Sequence, residues 1–301
     1  MMFPSSLCTT LLVLHGTELF VIVAFNFITI LVFVKNRCLR KRSMYLILNL
    51  AVADMLVGAF SVSYTYLELG IMCNIWKVKN SIGLGFDVLV WLWSVFPIAS
   101  LTNLAVISIE RAHATFRPFK HRVISKRAYG AIIAASWLLS VSLTSYLQST
   151  HKTRKGLYFY VWNSFNAICL FVISVSYVSI AVKVYCGIPT QHLHAVSRER
   201  KLTTTLFIVT LVSLLLWLPY TVCSFLYFST DILTSLSPLT NDLLNHVCII
   251  VYFANSLVNP ILYATRMPEF RGALILLCRR NEIHVAPFSQ GNSFTIRSER
   301  K

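Results

Sequence analysis

Seven apolar stretches, each long enough to cross a lipid bilayer, restrict the fold of this chain more than any other feature. They lie at about residues 11–34, 44–67, 82–110, 128–148, 157–186, 201–228 and 242–265. About 20 mostly apolar residues cross ~30 Å of hydrocarbon, where backbone N–H and C=O groups must pair within their own helix. We therefore predict an all-α membrane protein, a seven-transmembrane helix bundle occupying residues 1–267. Residues 268–301 follow as a short amphipathic eighth helix, Pro268–Arg280, and a tail.

The composition excludes most soluble classes of protein. Of the 301 residues, 56% are hydrophobic and 13% are charged, whereas soluble domains carry about 25% charged residues. The sequence has no His-Glu-x-x-His pattern and no phosphate-binding glycine loop, and it has only 10 glycines. We therefore predict that the chain is not an enzyme and has no obligatory cofactor.

The distribution of basic residues predicts the orientation in the membrane. The net charge is +16, and 22 of the 27 Lys and Arg residues follow spans one, three, five and seven. The other five are Lys77, Lys79, Lys152, Arg154 and Lys155. By the positive-inside rule, the N-terminus is extracellular and the C-terminus cytoplasmic. Because most of the positive charge lies on the side predicted to be cytoplasmic, membrane orientation explains it. We therefore expect a lipid bilayer, and no nucleic acid, as partner.

Polar residues within the spans fall on shared helical faces. Trp93 precedes Arg111 by 18 residues, five full turns, and Glu199 precedes Trp217 by the same interval. Spans three and six therefore each carry a charged residue near the cytoplasmic end and a tryptophan deeper in the bilayer. Arg111 has two interpretations, an interfacial side chain reaching the headgroups or a member of a functional ion pair.

Polar and aromatic motifs recur in a fixed order along the spans. They are Asn26 in span one, Leu50-xxx-Asp54 in span two, Glu110-Arg111 in span three, Trp137 in span four, Trp217-Leu-Pro219 in span six, Asn259-Pro260-xx-Tyr263 in span seven and Phe270 beyond it. Over essentially its whole length, the chain resembles the rhodopsin-class (class A) G protein-coupled receptors. The resemblance implies a plasma-membrane receptor that transmits binding of an extracellular ligand to heterotrimeric G proteins, with arrestin and receptor kinases as further partners.

The resemblance also implies roles for the motif residues. Arg111 would pair with Glu110 and Glu199 at rest, and release of these pairs would open a crevice for a G protein. The activation switch would comprise Trp217, Pro219, Asn259, Pro260 and Tyr263, since proline removes a backbone hydrogen bond and bends a helix. Simple packing and kinking is the alternative explanation for these residues.

Two further sites follow from the resemblance. An allosteric sodium ion would bind among Asp54, Ser100, Asn255, Ser256 and Asn259, because carboxylate, hydroxyl and amide oxygens suit a hard cation. The alternative is a buried acid that is protonated or hydrogen-bonded to the amides. Cys278, beside two arginines in the eighth helix, is a candidate for palmitoylation or for plain packing.

The predicted ligand chamber is mostly apolar with a few polar groups, as small-molecule sites usually are. Its residues are Trp93, Ser94, Pro97, Tyr220, Ser224, Asn245, Ile249 and Phe253. A lipid, a small molecule or a peptide remains open, and Glu18 or Glu68 at the outer edge would suit a cationic peptide. Trp93 stands where amine receptors have Asp, which disfavours an amine. Alternatively, the aromatic residues only fill the bundle.

Several positions depart from the family pattern. Ala112, Ser213 and Cys169 stand where Tyr, Phe and Pro are usual, and Phe86 replaces the outer cysteine of span three. With the short second outer loop at about 149–157, these departures resemble the melanocortin, cannabinoid and lysophospholipid receptor branch. Cys8 and Cys73 are either an outer bridge or, as we predict, two free thiols. The alternative functions are a non-signalling dimer partner and, less favoured, a transporter.

Overall fold

The computed structural model describes residues 4–36, 39, 42–75, 83–186, 208, 211–227 and 235–285. Nine helices lie within these ranges. They are α1 (Ser5–Lys35), α2 (Met44–Met72), α3 (Gly83–Phe116), α4 (Pro118–Val123), α5 (Lys126–Thr153), α6 (Lys155–Cys186), α7 (Leu211–Tyr227), α8 (Pro238–Arg266) and α9 (Pro268–Val285).

Six of these helices are long and apolar enough to cross a membrane, namely α1, α2, α3, α5, α6 and α8. The described part of α7 is a shorter apolar helix within the predicted sixth span, 201–228. Large apolar side chains such as Phe20, Leu138 and Phe171 point outward from the bundle. In a bilayer such side chains face lipid, so their exposure agrees with the predicted class of an all-α membrane protein.

The connections differ from the predicted ones at two places. The second outer loop, predicted at about 149–157, is reduced to Arg154, because α5 continues to Thr153 and α6 begins at Lys155. At the opposite end of the bundle, the segment after span three contains the short helix α4, which begins with Pro118 at its first position. Proline is favoured there, since its missing N–H would have no helical partner.

Side chains of seven helices form one buried apolar cluster. The helix α3 lies at its centre, and α1, α2, α5, α6, α7 and α8 contribute the other residues. The helix α3 supplies Val95, Phe96, Leu101 and Leu104 to it. Where α1 passes α2, Gly58 permits close approach, because a Cβ atom there would lie 2.8 Å from the Leu19 carbonyl oxygen. Close approach of small residues is a common basis of helix packing in membranes.

A disulfide bond joins Cys8 of α1 to Cys73, the residue after α2. The prediction of two free thiols was therefore wrong. The two cysteines are 65 positions apart, and the hairpin of α1 and α2 brings both to the same end of the bundle. The spacing of the two cysteines in the sequence did not reveal this pairing, because the pairing requires α1 to begin before Cys8, and the predicted first span began at about residue 11.

Candidate functional site

Asp54 of α2 lies at the centre of the bundle and is completely buried. Its Oδ1 accepts hydrogen bonds from the Ser100 hydroxyl of α3 at 2.6 Å and from the Ser256 hydroxyl of α8 at 2.7 Å. Its Oδ2 accepts from Asn259 Nδ2 at 2.8 Å. Three neutral donors on two helices thus surround one carboxylate, and they compensate part of the free-energy cost of burying it.

Two amide oxygens of α8 remain without a hydrogen-bond partner, one of them on Asn259, which contacts this carboxylate. They are Oδ1 of Asn255 and Oδ1 of Asn259, both buried on α8. A buried acceptor without a donor costs roughly 1–3 kcal/mol. Carboxylate, hydroxyl and unused carbonyl oxygens form the ligand chemistry of a hard cation, so the five residues predicted for sodium fit such an ion.

The α8 segment that holds these residues also contacts α1 and α9. Asn26 Nδ2 of α1 donates to the Ser256 carbonyl oxygen at 3.0 Å. Pro260 lies within α8 one residue after Asn259. Tyr263 is buried, and its ring packs at 6.3 Å from the Phe270 ring of α9. The structure therefore places Tyr263 against the start of α9.

The C-terminal end of α3 carries an ion pair. Arg111 Nε and Nη2 both contact Glu110 Oε2, and the arginine side chain is 12% exposed. A second basic side chain, Lys183 of α6, donates to the Thr115 carbonyl oxygen at 2.6 Å and lies over the Phe116 ring. Glu199, the other predicted partner of Arg111, lies outside the described residues.

Glu110 also binds two residues that sequence reasoning missed. Its Oε1 accepts from His121 Nε2 of α4 at 2.7 Å and from the Tyr129 hydroxyl of α5 at 2.9 Å. Arg42, beside the start of α2, holds this turn by donating to the carbonyl oxygens of Arg122 and Ile124. The chain reverses direction between α3 and α5, so helical periodicity gives no signal for the pairing of His121 or Tyr129 with Glu110.

A second polar network, only partly foreseen, joins α2, α3 and α5. Asn49 Nδ2 donates to Asn103 Oδ1 at 2.8 Å, and Trp137 Nε1 donates to Asn49 Oδ1 at 2.9 Å. The Ser136 hydroxyl also donates to Asn103 Oδ1, at 3.1 Å. Trp137 was identified from the sequence as a motif, and the structure shows which amide its indole N–H satisfies.

The predicted switch residue Trp217 is buried on α7, two residues before Pro219. Its ring packs edge-on against Tyr252 of α8, with 4.5 Å between the ring centroids. Ser213, one turn earlier, is buried and its hydroxyl has no hydrogen-bond partner. Leu101, Leu104 and Ile173 surround the serine.

The predicted ligand residues fall into two aromatic groups. Trp93 of α3 packs against Tyr64 of α2 at 5.1 Å and against Phe253 of α8 at 6.4 Å. Tyr220 of α7 packs against Tyr252 at 4.9 Å. Ile249, one turn from Phe253, is also buried. The structure therefore brings aromatic residues of α2, α3, α7 and α8 toward one another.

The remaining predicted ligand residues have varied surroundings. Pro97 is buried within α3, Ser224 is half-buried on α7, and Asn245 is exposed on α8. The Ser94 hydroxyl donates to the Val90 carbonyl oxygen of its own helix at 2.8 Å. Cys278 belongs to α9, but its side chain lies outside the described residues.

Membrane-length helices around a central carboxylate, with a Glu–Arg pair at one end of α3, define a helical membrane protein. Comparison with protein families agrees. The model for 7 transmembrane receptor (rhodopsin family) matches residues 25–263. The chain therefore belongs to the rhodopsin family of seven-transmembrane receptors, which are the class A G protein-coupled receptors.

Similar proteins include receptors for peptides and for amines. A QRFP-like peptide receptor of Branchiostoma floridae is 24% identical over 86% of this chain and 75% of its own length. Tachykinin-like peptides receptor 99D of Drosophila melanogaster is 24% identical over 95% of this chain and 60% of its own length. Octopamine receptor beta-1R of the same fly is 25% identical over 82% of this chain and 57% of its own length.

These relatives give no support to the suggested melanocortin, cannabinoid and lysophospholipid branch. The chain spans less than two thirds of the length of both fly receptors.

Proposed function

We propose that this chain is a plasma-membrane receptor that transmits binding of an extracellular ligand to heterotrimeric G proteins. Its N-terminus is extracellular and its C-terminus cytoplasmic, as the distribution of basic residues predicts. The observation that carries the proposal is the cluster around Glu110, formed by Arg111, His121 and Tyr129 at one end of the bundle. Arrestin and receptor kinases are further proposed partners at the same face.

In the proposed resting state, Glu110 holds Arg111 along the side of α3, away from the cytoplasmic crevice. Glu199 would add a second contact from the sixth span. Activation exchanges these contacts for contacts with the G protein, so the bonds to Glu110 bias an equilibrium between two conformations. Removal of an acidic partner leaves Arg111 partly buried and uncompensated, which shifts the equilibrium toward the active conformation, whereas removal of Arg111 also removes its contact with the G protein.

Asp54 is the proposed sodium ligand, with Ser100, Asn255, Ser256 and Asn259. When bound, sodium would supply positive charge to a carboxylate that otherwise has only neutral donors. These residues link α2, α3 and α8 through Asp54, and they support the resting arrangement of the three helices. Movement of α8 at Pro260 separates Asn259 and Ser256 from Asp54, which connects the centre of the bundle to Tyr263.

The aromatic contact between Trp217 and Tyr252 is the proposed link between the ligand and this centre. It joins α7 to α8 at the level of Pro219, where α7 can bend. A ligand that contacts Tyr220 or Phe253 would displace these rings. The displacement would reach Asn255 and Asn259, which follow Tyr252 on the same helix.

For the ligand, we propose a peptide that carries a basic group. Glu68 of α2 is hydrogen-bonded to Tyr64, and Asp242 of α8 is a second acidic residue that interacts electrostatically with Glu68. Tyr64 in turn packs against Trp93. Two acidic side chains beside an aromatic surface suit a cationic group, and two of the relatives are named as peptide receptors.

The ligand proposal is tested with short peptides in matched pairs, one carrying Lys or Arg and the other carrying Gln at the same positions. We expect activation only by basic peptides, and a loss of potency of about tenfold or more in Glu68→Gln, as for a charged contact. Asp87→Asn of α3 is the matched control and keeps its potency. Equal potency of neutral and basic peptides would reject this ligand class.

The coupling proposal is tested by recording ligand-free activation across a panel of Gα subunits in cells. We expect a raised basal signal in Glu199→Ala and a lost signal in Arg111→Ala at equal surface expression. Ala112 and Ser213 depart from the family pattern, and this observation keeps a non-signalling dimer partner as second candidate. Silence of all variants, with and without candidate ligands, would favour that candidate.

A further inference from the structure

Two cysteine thiols on neighbouring helices are in direct contact. Cys223 of α7 and Cys248 of α8 have their sulfur atoms 3.2 Å apart. A disulfide bond has a sulfur–sulfur distance of about 2.0 Å, so the two sulfurs need to approach each other by only about 1 Å. The third free cysteine of the described residues, Cys169, is buried on α6.

The thiol pair lies next to the aromatic contacts between α7 and α8. Cys223 follows Tyr220 by three residues, and Cys248 precedes Tyr252 by four, so each thiol lies on the same helix face as the neighbouring tyrosine. The two tyrosine rings pack at 4.9 Å, and Tyr252 packs on Trp217 at 4.5 Å. A bond between the thiols would therefore fix the helices within one or two turns of the proposed switch.

We infer that Cys223 and Cys248 form a reversible redox site, in which a peroxide oxidises the two thiols to a disulfide that joins α7 to α8. Cys223 is half-buried and Cys248 is 4% exposed, so Cys223 reacts first, since oxidation follows access. Its thiol takes one peroxide oxygen and becomes a sulfenic acid, while the peroxide leaves as an alcohol or water. The Cys248 thiol then attacks this sulfur and one water molecule departs.

The electrons balance in these two steps. The two thiols together lose two electrons and two protons, and the peroxide takes up both electrons as its O–O bond breaks. A dithiol reductant reverses the reaction by thiol–disulfide exchange. The reaction therefore requires the two cysteine thiols, a peroxide as oxidant and a dithiol as reductant.

The functional consequence rests on the proposed coupling to G proteins. Cys223 lies four residues after Pro219, on the far side of the bend from Ser213. A covalent bond to Cys248 restrains the relative movement of α7 and α8 that the Trp217–Tyr252 contact would transmit. The oxidised receptor should therefore signal less than the reduced receptor.

The chemical test uses the full chain in cell membranes exposed to hydrogen peroxide. Free thiols are blocked, the protein is digested without reduction, and mass spectrometry quantifies the peptide pair joined through Cys223 and Cys248. We expect this pair to increase several-fold with peroxide, to disappear with dithiothreitol, and to be absent from Cys223→Ser and Cys248→Ser. Cys169→Ser is the matched control and forms the bond as the unmodified chain does.

In each sample that has not been treated with dithiothreitol, detection of the Cys8–Cys73 peptide pair shows that the receptor reached the oxidising compartment and was recovered. If that pair is present and the Cys223–Cys248 pair never forms, the redox site is refuted. A Cys223–Cys248 bond that is complete before peroxide and unaffected by dithiothreitol would also refute a reversible site.

The signalling arm measures basal G protein activation before and after peroxide in the Glu199→Ala background. We expect peroxide to lower the signal at least by half, and Cys223→Ser to abolish this response while Cys169→Ser retains it. A disulfide that forms without any change in signal would refute the restraint on α7 and α8. Absence of signal in every variant would count against the proposed function, whereas the peptide measurement would still decide the redox site.

Discussion

Tyr129→Phe removes one hydroxyl from the cluster around Glu110 and leaves the ring in place. Tyr129 is 2% exposed, and its hydroxyl donates to Glu110 Oε1 at 2.9 Å. A hydrogen bond to a charged group contributes about 1.5–3 kcal/mol. Phenylalanine keeps the apolar contacts of the ring, so the substitution removes the bond to Glu110 and the hydroxyl's 3.2 Å contact with His121 Nε2, with little change in packing.

If the bond exists only in the resting conformation, its loss shifts the equilibrium toward the active conformation by the same free energy. Because about 1.4 kcal/mol corresponds to a tenfold change in an equilibrium constant, we expect basal G protein activation to rise by about tenfold to a hundredfold from a low resting level. The measurement is a cell-based G protein activation assay, normalised to receptor at the surface. Tyr146→Phe, on an exposed part of the same helix, is the control and leaves the signal unchanged.

The Tyr129 experiment also separates a resting-state contact from a structural one. A merely structural hydroxyl would reduce surface expression and signal together. Unchanged basal activity at normal expression would refute the assignment of Tyr129 to the resting-state cluster. His121→Ala, which removes the 2.7 Å contact to the same carboxylate oxygen, should change the signal in the same direction.

Three further predictions concern the interior of the bundle and the end that carries the Cys8–Cys73 disulfide. Sodium chloride should lower basal signalling relative to potassium chloride in the unmodified receptor, and Asp54→Asn should abolish the difference; an unchanged sodium response would exclude Asp54 as the ligand. Ser213→Ala should raise the free energy of unfolding by about 1 kcal/mol, because it removes a buried hydroxyl without a partner. This corresponds to a rise of about 2 °C in the midpoint of thermal unfolding. A lower midpoint would show that the hydroxyl has an unrecognised role. Cys8→Ser should lower stability by up to about 4 kcal/mol, because the disulfide closes a 65-residue separation; the double substitution with Cys73→Ser should equal either single one, and an additive loss would mean that the two residues act separately.

The spans were predictable because each helix in a bilayer must satisfy its own backbone hydrogen bonds, which leaves a long apolar stretch in the sequence. The ends were less predictable. Ser125 caps α5 by accepting from Ala128 N–H, and Ser237 caps α8 by accepting from Thr240 N–H. With these caps, α5 begins at Lys126, two residues before the predicted start at 128. Likewise, α8 begins at Pro238, four residues before the predicted start at 242.

The central site was more accessible to sequence reasoning than the cluster around Glu110. Asp54, Ser100 and Asn259 lie within regular helices, where position along the span fixes depth in the membrane. His121 reaches Glu110 only because α4 turns the chain back beneath α3, and a turn of this kind leaves no periodic pattern. The contact of Cys223 with Cys248 likewise depends on the register of α7 against α8, which the two separate sequences do not specify.

The most direct test of the account is nucleotide exchange on purified heterotrimeric G proteins, catalysed by the purified full chain in lipid nanodiscs. We expect exchange above the rate of the G protein alone for at least one Gα class, a further increase in Tyr129→Phe, and none in Arg111→Ala. Exchange that is equal in the unmodified chain and in Arg111→Ala, or absent in all three with correctly folded protein, would contradict the proposed coupling.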